Sequence, residues 1–366
     1  MTGTVLEHVT VIDGTGAPPR VDMSVVLRGE RIAGLHKTGT APADLHATVI
    51  DASGKFLIPG LWDMHTHTMG ASDMLPLYIA NGVTGIREMW GLPHHHDWRG
   101  QIASGSVVGP RMVIASRIVD GPGSIFAQFS DEYIEAADEA DGRDSVRRAV
   151  DDDADFVKVY SLLPRSAYFA IAEEARDRGI PFAGHVPDLV SLTEASDAGQ
   201  HTCEHLMGVL TATSRREQEI REEQRSIAAG RTGGEDPWRA IQRSLALDRK
   251  AADAYDDSRA AMVFDVLARN GTWQVPTLSV LRIGALDERA HHDERLRYLP
   301  AGTLQRWQQS LAWFEPAPGQ KAQAREFFER RVELVGAMKR AGVGDPGGDR
   351  LRQPVLFPGL QPARRA

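Results

Sequence analysis

Asp63-Met64-His65-Thr66-His67 follows the apolar run Leu57-Ile58-Pro59-Gly60-Leu61-Trp62. In an extended strand, residues i and i+2 point to one face, so His65 and His67 can turn two imidazoles towards one ion. A His-x-His pair alone is weak grounds for a metal site; its place at the end of an apolar strand strengthens it. Three more residues end similar runs: Lys158 in Phe156-Val157-Lys158-Val159, His185 in Phe182-Ala183-Gly184-His185 and His205 in Cys203-Glu204-His205. A lysine among Phe156, Val157 and Val159 would hold a poorly solvated ammonium. Either a nearby carboxylate pairs it, or carbon dioxide carbamylates it into an anionic oxygen ligand able to bridge two cations. Four histidines at equivalent strand ends favour the second.

The elements that must position these groups are short. Residues 4–12, 22–28, 31–35 and 47–51 are Val/Ile/Leu-rich runs separated by turn residues, which predicts a small antiparallel sheet. From Gly60 the texture becomes strand and helix in alternation. Strands are expected at Leu61–Met64, Gly82–Glu88, Arg111–Ser116, Phe156–Tyr160, Pro181–His185, His201–His205 and Trp273–Leu278. Such alternation predicts a parallel sheet closing towards a (β/α)8 TIM-type barrel, whose active residues sit where strands end. Only seven units are visible. The charged segment Met207–Arg269 is too long for a simple crossover; it reads as solvated helices or, more sharply, as a lid over the barrel mouth.

Net charge is −8, without a basic face, which argues against a nucleic-acid partner. No stretch approaches the ~18 apolar residues of a membrane span. The amino terminus resembles no secretory signal, so a cytoplasmic protein with a small-molecule substrate is expected, and homo-oligomerisation is left open. The single cysteine, Cys203, excludes an intrachain disulfide and a cysteine-rich zinc knuckle; it reads as a core residue. His94-His95-His96 cannot all face one way and predicts a solvent-exposed loop within reach of substrate. His291-His292, amid charge, reads as surface.

The runs Val11-Ile12-Asp13-Gly14-Thr15-Gly16, Ile58-Pro59-Gly60-Leu61-Trp62-Asp63-Met64-His65-Thr66-His67 and Gly82-Val83-Thr84-Gly85-Ile86-Arg87-Glu88-Met89 resemble the metal-dependent amidohydrolase superfamily, in its imidazolonepropionase-like and Xaa-Pro-dipeptidase-like branch. Gly109-Pro110-Arg111, Phe156-Val157-Lys158-Val159, Ala183-Gly184-His185-Val186, Glu204-His205-Leu206 and Gly271-Thr272-Trp273-Gln274-Val275-Pro276-Thr277-Leu278 are similar to its later strands, in order. The resemblance implies a partial β-sandwich over 1–57 and a metal-binding barrel over 58–343. It also implies a binuclear site, most often zinc: His65 and His67 on one ion, His185 and His205 on the other, and carbamylated Lys158 as the bridge. A metal-bridged hydroxide would then attack an amide, peptide or lactam carbonyl. Tyr160, His201 and Glu204 would hold ligands in place or touch substrate. Dipeptides, N-acyl amino acids and cyclic amides suit such a site, and arginines of a lid over 207–269 would favour substrates with a carboxylate.

The pattern breaks after Val343. The superfamily's eighth strand carries an aspartate that binds metal and takes the proton from the attacking water, but here Gly344-Asp345-Pro346-Gly347-Gly348-Asp349 follows, so the catalytic acceptor is unassigned. Read from the second base of each codon with third bases free, Asp-Pro-Gly-Gly-Asp-Arg-Leu-Arg-Gln-Pro can yield Ile-Leu-Ala-Gly-Thr-Asp-Ser-Gly-Asn-Pro. This predicts a frameshift near residue 344, in the gene or its sequencing, and an out-of-frame tail over 344–366; the alternative is a genuine divergent tail. A seven-stranded barrel keeps two unpaired edges. The chain as written is expected to be poorly soluble or inactive, and its alternative role is a truncated remnant that binds metal or a partner without turnover.

Overall fold

The computed structural model describes residues 3–41, 46–68, 72–234, 237–286, 294–311 and 319–344. The chain divides into two units, the first reaching to Leu61 and the second beginning at Trp62.

In the first unit, β1 (Thr4–Val11), β2 (Arg20–Arg28), β3 (Arg31–Lys37), β4 (Thr48–Asp51) and β5 (Phe56–Leu57) form one sheet in the order β3-β2-β1-β4, with β5 also on β1. Val9, Val11, Met23, Val25 and Ala52 form its buried core. The antiparallel sheet expected from the sequence holds for β1, β2 and β3, but β4 and β5 run parallel to β1. The cause is the connection. Arg28 and Arg31 face each other across a tight turn, which forces antiparallel pairing, whereas residues 38–47 give room for a crossover to the free edge of β1.

The second unit contains β6 (Leu61–Thr66), β7 (Val83–Glu88), β8 (Arg111–Asp120), β9 (Tyr133–Glu135), β10 (Phe156–Val159), β11 (Phe182–Gly184), β12 (Thr202–Glu204) and β13 (Trp273–Val275). Its sheet runs β6-β7-β8-β10-β11-β12-β13, a nearly closed barrel of seven strands with the short β9 added beside β8. The seven expected strands are all present; β9 was not anticipated, being only three residues long. Strand alternation sorts the side chains. On β10, Val157 and Val159 join the large outer core under the helices, while Phe156 joins an inner cluster with Met89, Val113, Ala115 and Ala183. Lys158, two residues on from Phe156, therefore turns to the inside. Gly85 allows this interior to close, because a Cβ there would lie 2.3 Å from the Trp62 ring.

The barrel does not complete itself within the described residues. On its outer edge β13 meets only the backbone of Gly344, whose carbonyl accepts from Gln274 N–H at 3.0 Å. The out-of-frame tail expected after that point, and His291-His292, lie outside the described residues. The long insertion folds as helices, chiefly Glu217–Thr232, Pro237–Ala252 and Asp257–Asn270. They are not merely solvated. Ile220, Ile227, Ala240, Leu247 and Ala251 are buried in the same outer core as Leu334 and Met338. No described helix is long and apolar enough to cross a membrane.

Candidate active site

Three of the four expected histidines share one design. His65 Nδ1 lies 2.8 Å from Glu204 Oε2, His185 Nδ1 2.8 Å from Ser161 Oγ, and His205 Nδ1 2.8 Å from Thr277 Oγ1. Each bond occupies one ring nitrogen and leaves Nε2 as the remaining donor, the arrangement that orients metal-binding imidazoles. The rings are neighbours: the His65 centroid is 5.2 Å from that of His67 and 4.5 Å from that of His205, which is 5.0 Å from His185. His67 is the outermost, with 37% of its side chain exposed and its Nδ1 3.8 Å from Glu88 Oε1. Burial pushes the pKa of His65 down to about 3, against the pull of Glu204, and holds His185 and His205 well below the ordinary value. All three are neutral at pH 7, as a ligand must be.

The backbone carries strain at the same place. His205 and Leu206 have φ of 59° and 61°, and Thr277, which bonds the His205 ring, has φ of 47°. Left-handed backbone at a β-branched residue is a genuine outlier and persists only where surrounding structure enforces it. Gly184, just before His185, has φ of 138°, and a Cβ there would lie 2.1 Å from the Val159 carbonyl oxygen.

Lys158 is 1% exposed, and among the described residues its Nζ has no hydrogen-bond partner. Burial lowers its pKa to about 8, with Glu204 resisting and Arg87 assisting. A bulge fixes its strand: Phe156 pairs with Ala115 but Lys158 with Ile118, and Ser116 Oγ accepts from Lys158 N–H at 2.9 Å. Nζ sits 5.8 Å from the centre of the Tyr160 ring, which stacks on His185 with centroids 3.9 Å apart. The structure thus groups Lys158, Tyr160 and Glu204 with the histidines. His201 is separated from His205 by the full length of β12, at the opposite strand end.

The sequence did not single out Arg87. It is fully buried and donates from Nε to the Met64 carbonyl at 2.7 Å, from Nη1 to Thr202 Oγ1 at 3.0 Å and from Nη2 to Glu204 Oε1 at 2.6 Å. Burial alone would raise the Glu204 pKa; Arg87 and the bond from His65 outweigh it and keep the carboxylate ionised. Arg-Glu at the end of an apolar strand was the available signal, since a charge in a buried strand needs a partner.

The exposed loop expected at His94-His95-His96 is instead the start of helix Pro93–Ser104, with His95 buried. His95 Nδ1 accepts from Leu92 N–H at 3.0 Å, which leaves Nε2–H to donate to Thr68 Oγ1 at 3.0 Å. Thr68 in turn donates its hydroxyl and N–H to Glu88 Oε2 at 2.6 and 2.8 Å. His95 therefore closes a helix start and braces the loop behind His67.

A cavity of about 220 Å³ opens beside Tyr160 and His185. Asp188 lines its barrel side, and Arg221 and Arg231 from helix Glu217–Thr232 and Asp248 from helix Pro237–Ala252 reach it. Among the described residues, no three His, Cys, Asp or Glu side chains already stand as a set able to hold a metal ion. The donors nevertheless suit one: neutral imidazoles with Nδ1 engaged, beside a buried amine with no partner of its own.

No family model matches the chain. It is similar to a solved bottromycin amidohydrolase with a TM-score of 0.68 and 23% identity, covering 94% of this chain and 68% of that one. What the two share is the fold. A Xaa-Pro dipeptidase with methionine bound in its active site has a TM-score of 0.61 and 17% identity over 95% of this chain and 79% of its own. In sequence, an N-acyl-D-glutamate deacylase of Alcaligenes xylosoxydans xylosoxydans is 44% identical over 63 residues. That stretch is 17% of this chain, which spans only 12% of the deacylase's length.

Proposed function

We propose that this chain is built as a metal-dependent hydrolase of amide-type C–N bonds in small molecules that carry a carboxylate. The observation that carries the reading is the common orientation of His65, His185 and His205 around the unpartnered amine of Lys158. His65 and His67 would hold one zinc ion, His185 and His205 a second, and carbamylated Lys158 would join them. Ions there would supply Lewis-acid polarisation of the amide carbonyl and acidify the attacking water.

The chain's own residues do the rest. Glu204, Ser161 and Thr277 fix the imidazole rings, Tyr160 walls the cavity against His185, and the insertion helices cover it. Arg231 is 8% exposed; among the described residues its Nε has no partner and its Nη2 donates to the Gly123 carbonyl at 3.3 Å, so it has capacity to receive a carboxylate. The names of similar proteins, a deacylase of acylated amino acids and a dipeptidase, support an amide substrate.

The test is turnover by zinc-loaded protein of N-acyl amino acids, dipeptides and lactams, with the reading frame restored beyond residue 344. Cleavage of the first two classes is expected. Activity confined to uncharged lactams or esters would overturn the carboxylate assignment.

A second reading is favoured by the edge at β13, which meets only Gly344 within the described residues. On it, the chain as written is a remnant that binds metal without turnover, because the proton acceptor of the eighth strand is missing. Sequencing the gene across codons 340–350 separates the two: an intact Gly-Thr-Asp frame restores the enzyme, and a confirmed shift favours the remnant.

A further inference from the structure

We infer that Asp188 is a specificity-determining residue, selecting amides that carry a positively charged group, ammonium or guanidinium, in addition to the carboxylate. The inference rests on the proposed reading of the cavity as the substrate pocket.

Four charged side chains line the cavity, and two are already engaged. Arg221 donates to Glu217 at 2.9 Å, and Asp248 accepts from Arg331 at 3.4 Å. Arg231 and Asp188 are left. The electrostatic neighbours of the Asp188 carboxyl are Arg231, which favours its charged form, and Asp120 and Asp248, which oppose it; none is a hydrogen-bond partner.

Asp188 is also held in register with the reacting end of the site. Its N–H donates to the Ser161 carbonyl at 2.8 Å, and Ser161 Oγ lies 2.8 Å from His185 Nδ1, so one serine anchors both residues. Pro187 between them stiffens the connection. A neutral ligand filling the cavity would strip water from this carboxylate and give nothing in return. A cation on the ligand would satisfy it while Arg231 takes the carboxylate, and the opposed charges would also orient the ligand.

The experiment is calorimetric titration of the full chain with N-acetyl-lysine and N-acetyl-norleucine, which share the amide and carboxylate and differ in the ammonium. The wild type is expected to bind N-acetyl-lysine about 10-fold more tightly, a typical gain for one charge-assisted hydrogen bond. Asp188→Asn should bring the two within about 2-fold of each other, by weakening the lysine ligand and tightening the norleucine ligand, whose desolvation cost at the carboxylate is removed; an unchanged far-ultraviolet circular dichroism spectrum shows that the variant is folded. Asp188→Lys should turn the preference towards N-acetyl-glutamate. Equal binding of the lysine and norleucine ligands by the wild type, or a preference that survives Asp188→Asn, would overturn the inference and leave the carboxylate pocket standing. Binding of neither would overturn the pocket assignment and the inference together.

Discussion

Glu204 Oε2 and His65 Nδ1 stand 2.8 Å apart although 139 residues separate them in the chain. The other oxygen of the same carboxylate accepts from Arg87 at 2.6 Å and from Thr202 at 2.6 Å. One buried group therefore ties β6, β7 and β12 together and sets the tautomer of a histidine at the barrel mouth.

Removing that carboxylate should be costly in two separable ways. Glu204→Gln leaves Arg87 buried and unpaired, a loss of about 3–5 kcal/mol in unfolding free energy, and frees the His65 ring, lowering metal affinity by about 10–100-fold. Adding Arg87→Met should recover much of the stability and none of the metal affinity. Recovery of both in the double variant, followed by denaturation and metal titration, would show that Glu204 acts only as a structural counter-ion.

Lys158 should show opposite signs with and without metal. Lys158→Met replaces a buried, unpartnered amine with an apolar chain of similar length, so metal-free protein should melt a few degrees higher. The same substitution should cut retention to one ion or none, and acetate should partly restore it in Lys158→Ala by filling the vacated space. A lowered melting temperature with unchanged metal content would assign Lys158 to packing instead.

The acidic residues near the cavity make a prediction about pH. Burial raises Asp188 to about 7 and Asp120 to about 6 from the ordinary 3.8. Carboxyls with raised folded-state pKa bind protons more tightly when folded, so their contribution to stability is greatest below the unfolded value and falls as pH rises towards the folded one. Asp188→Asn should therefore match the wild type in melting temperature near pH 4 and exceed it at about pH 8. A gap that stays constant over that range would contradict the assignment.

The sequence made the strand ends legible because barrel chemistry gathers where apolar runs stop. His65, His185, His205 and Lys158 each end or follow such a run, and the structure places them together. It could not show the partners. Ser161 and Thr277 carry hydroxyls too common to stand out, and Arg87 acquires meaning only once Glu204 is seen across the barrel. Direction was equally hidden in the first sheet, where β4 has the composition of a hairpin strand yet runs parallel to β1. His95 misled because a triple histidine looks exposed, while helix periodicity and the bond to Thr68 bury one ring of the three.

The frame near residue 344 bears on stability as well as chemistry. If the restored frame supplies the eighth strand, the protein carrying it should be more soluble and melt higher than the chain as written, since the β6 and β13 edges, which pair with no further strand among the described residues, gain a partner. Equal solubility and melting temperature would favour a genuine divergent tail.

Metal content of the purified chain, measured by inductively coupled plasma mass spectrometry after zinc loading and desalting, tests the central claim most directly. Up to two divalent ions per folded chain are expected, falling to one or none when His65→Ala and His67→Ala are combined and also in Lys158→Ala. A folded wild type that retains no metal, or variants that retain as much as the wild type, would contradict it.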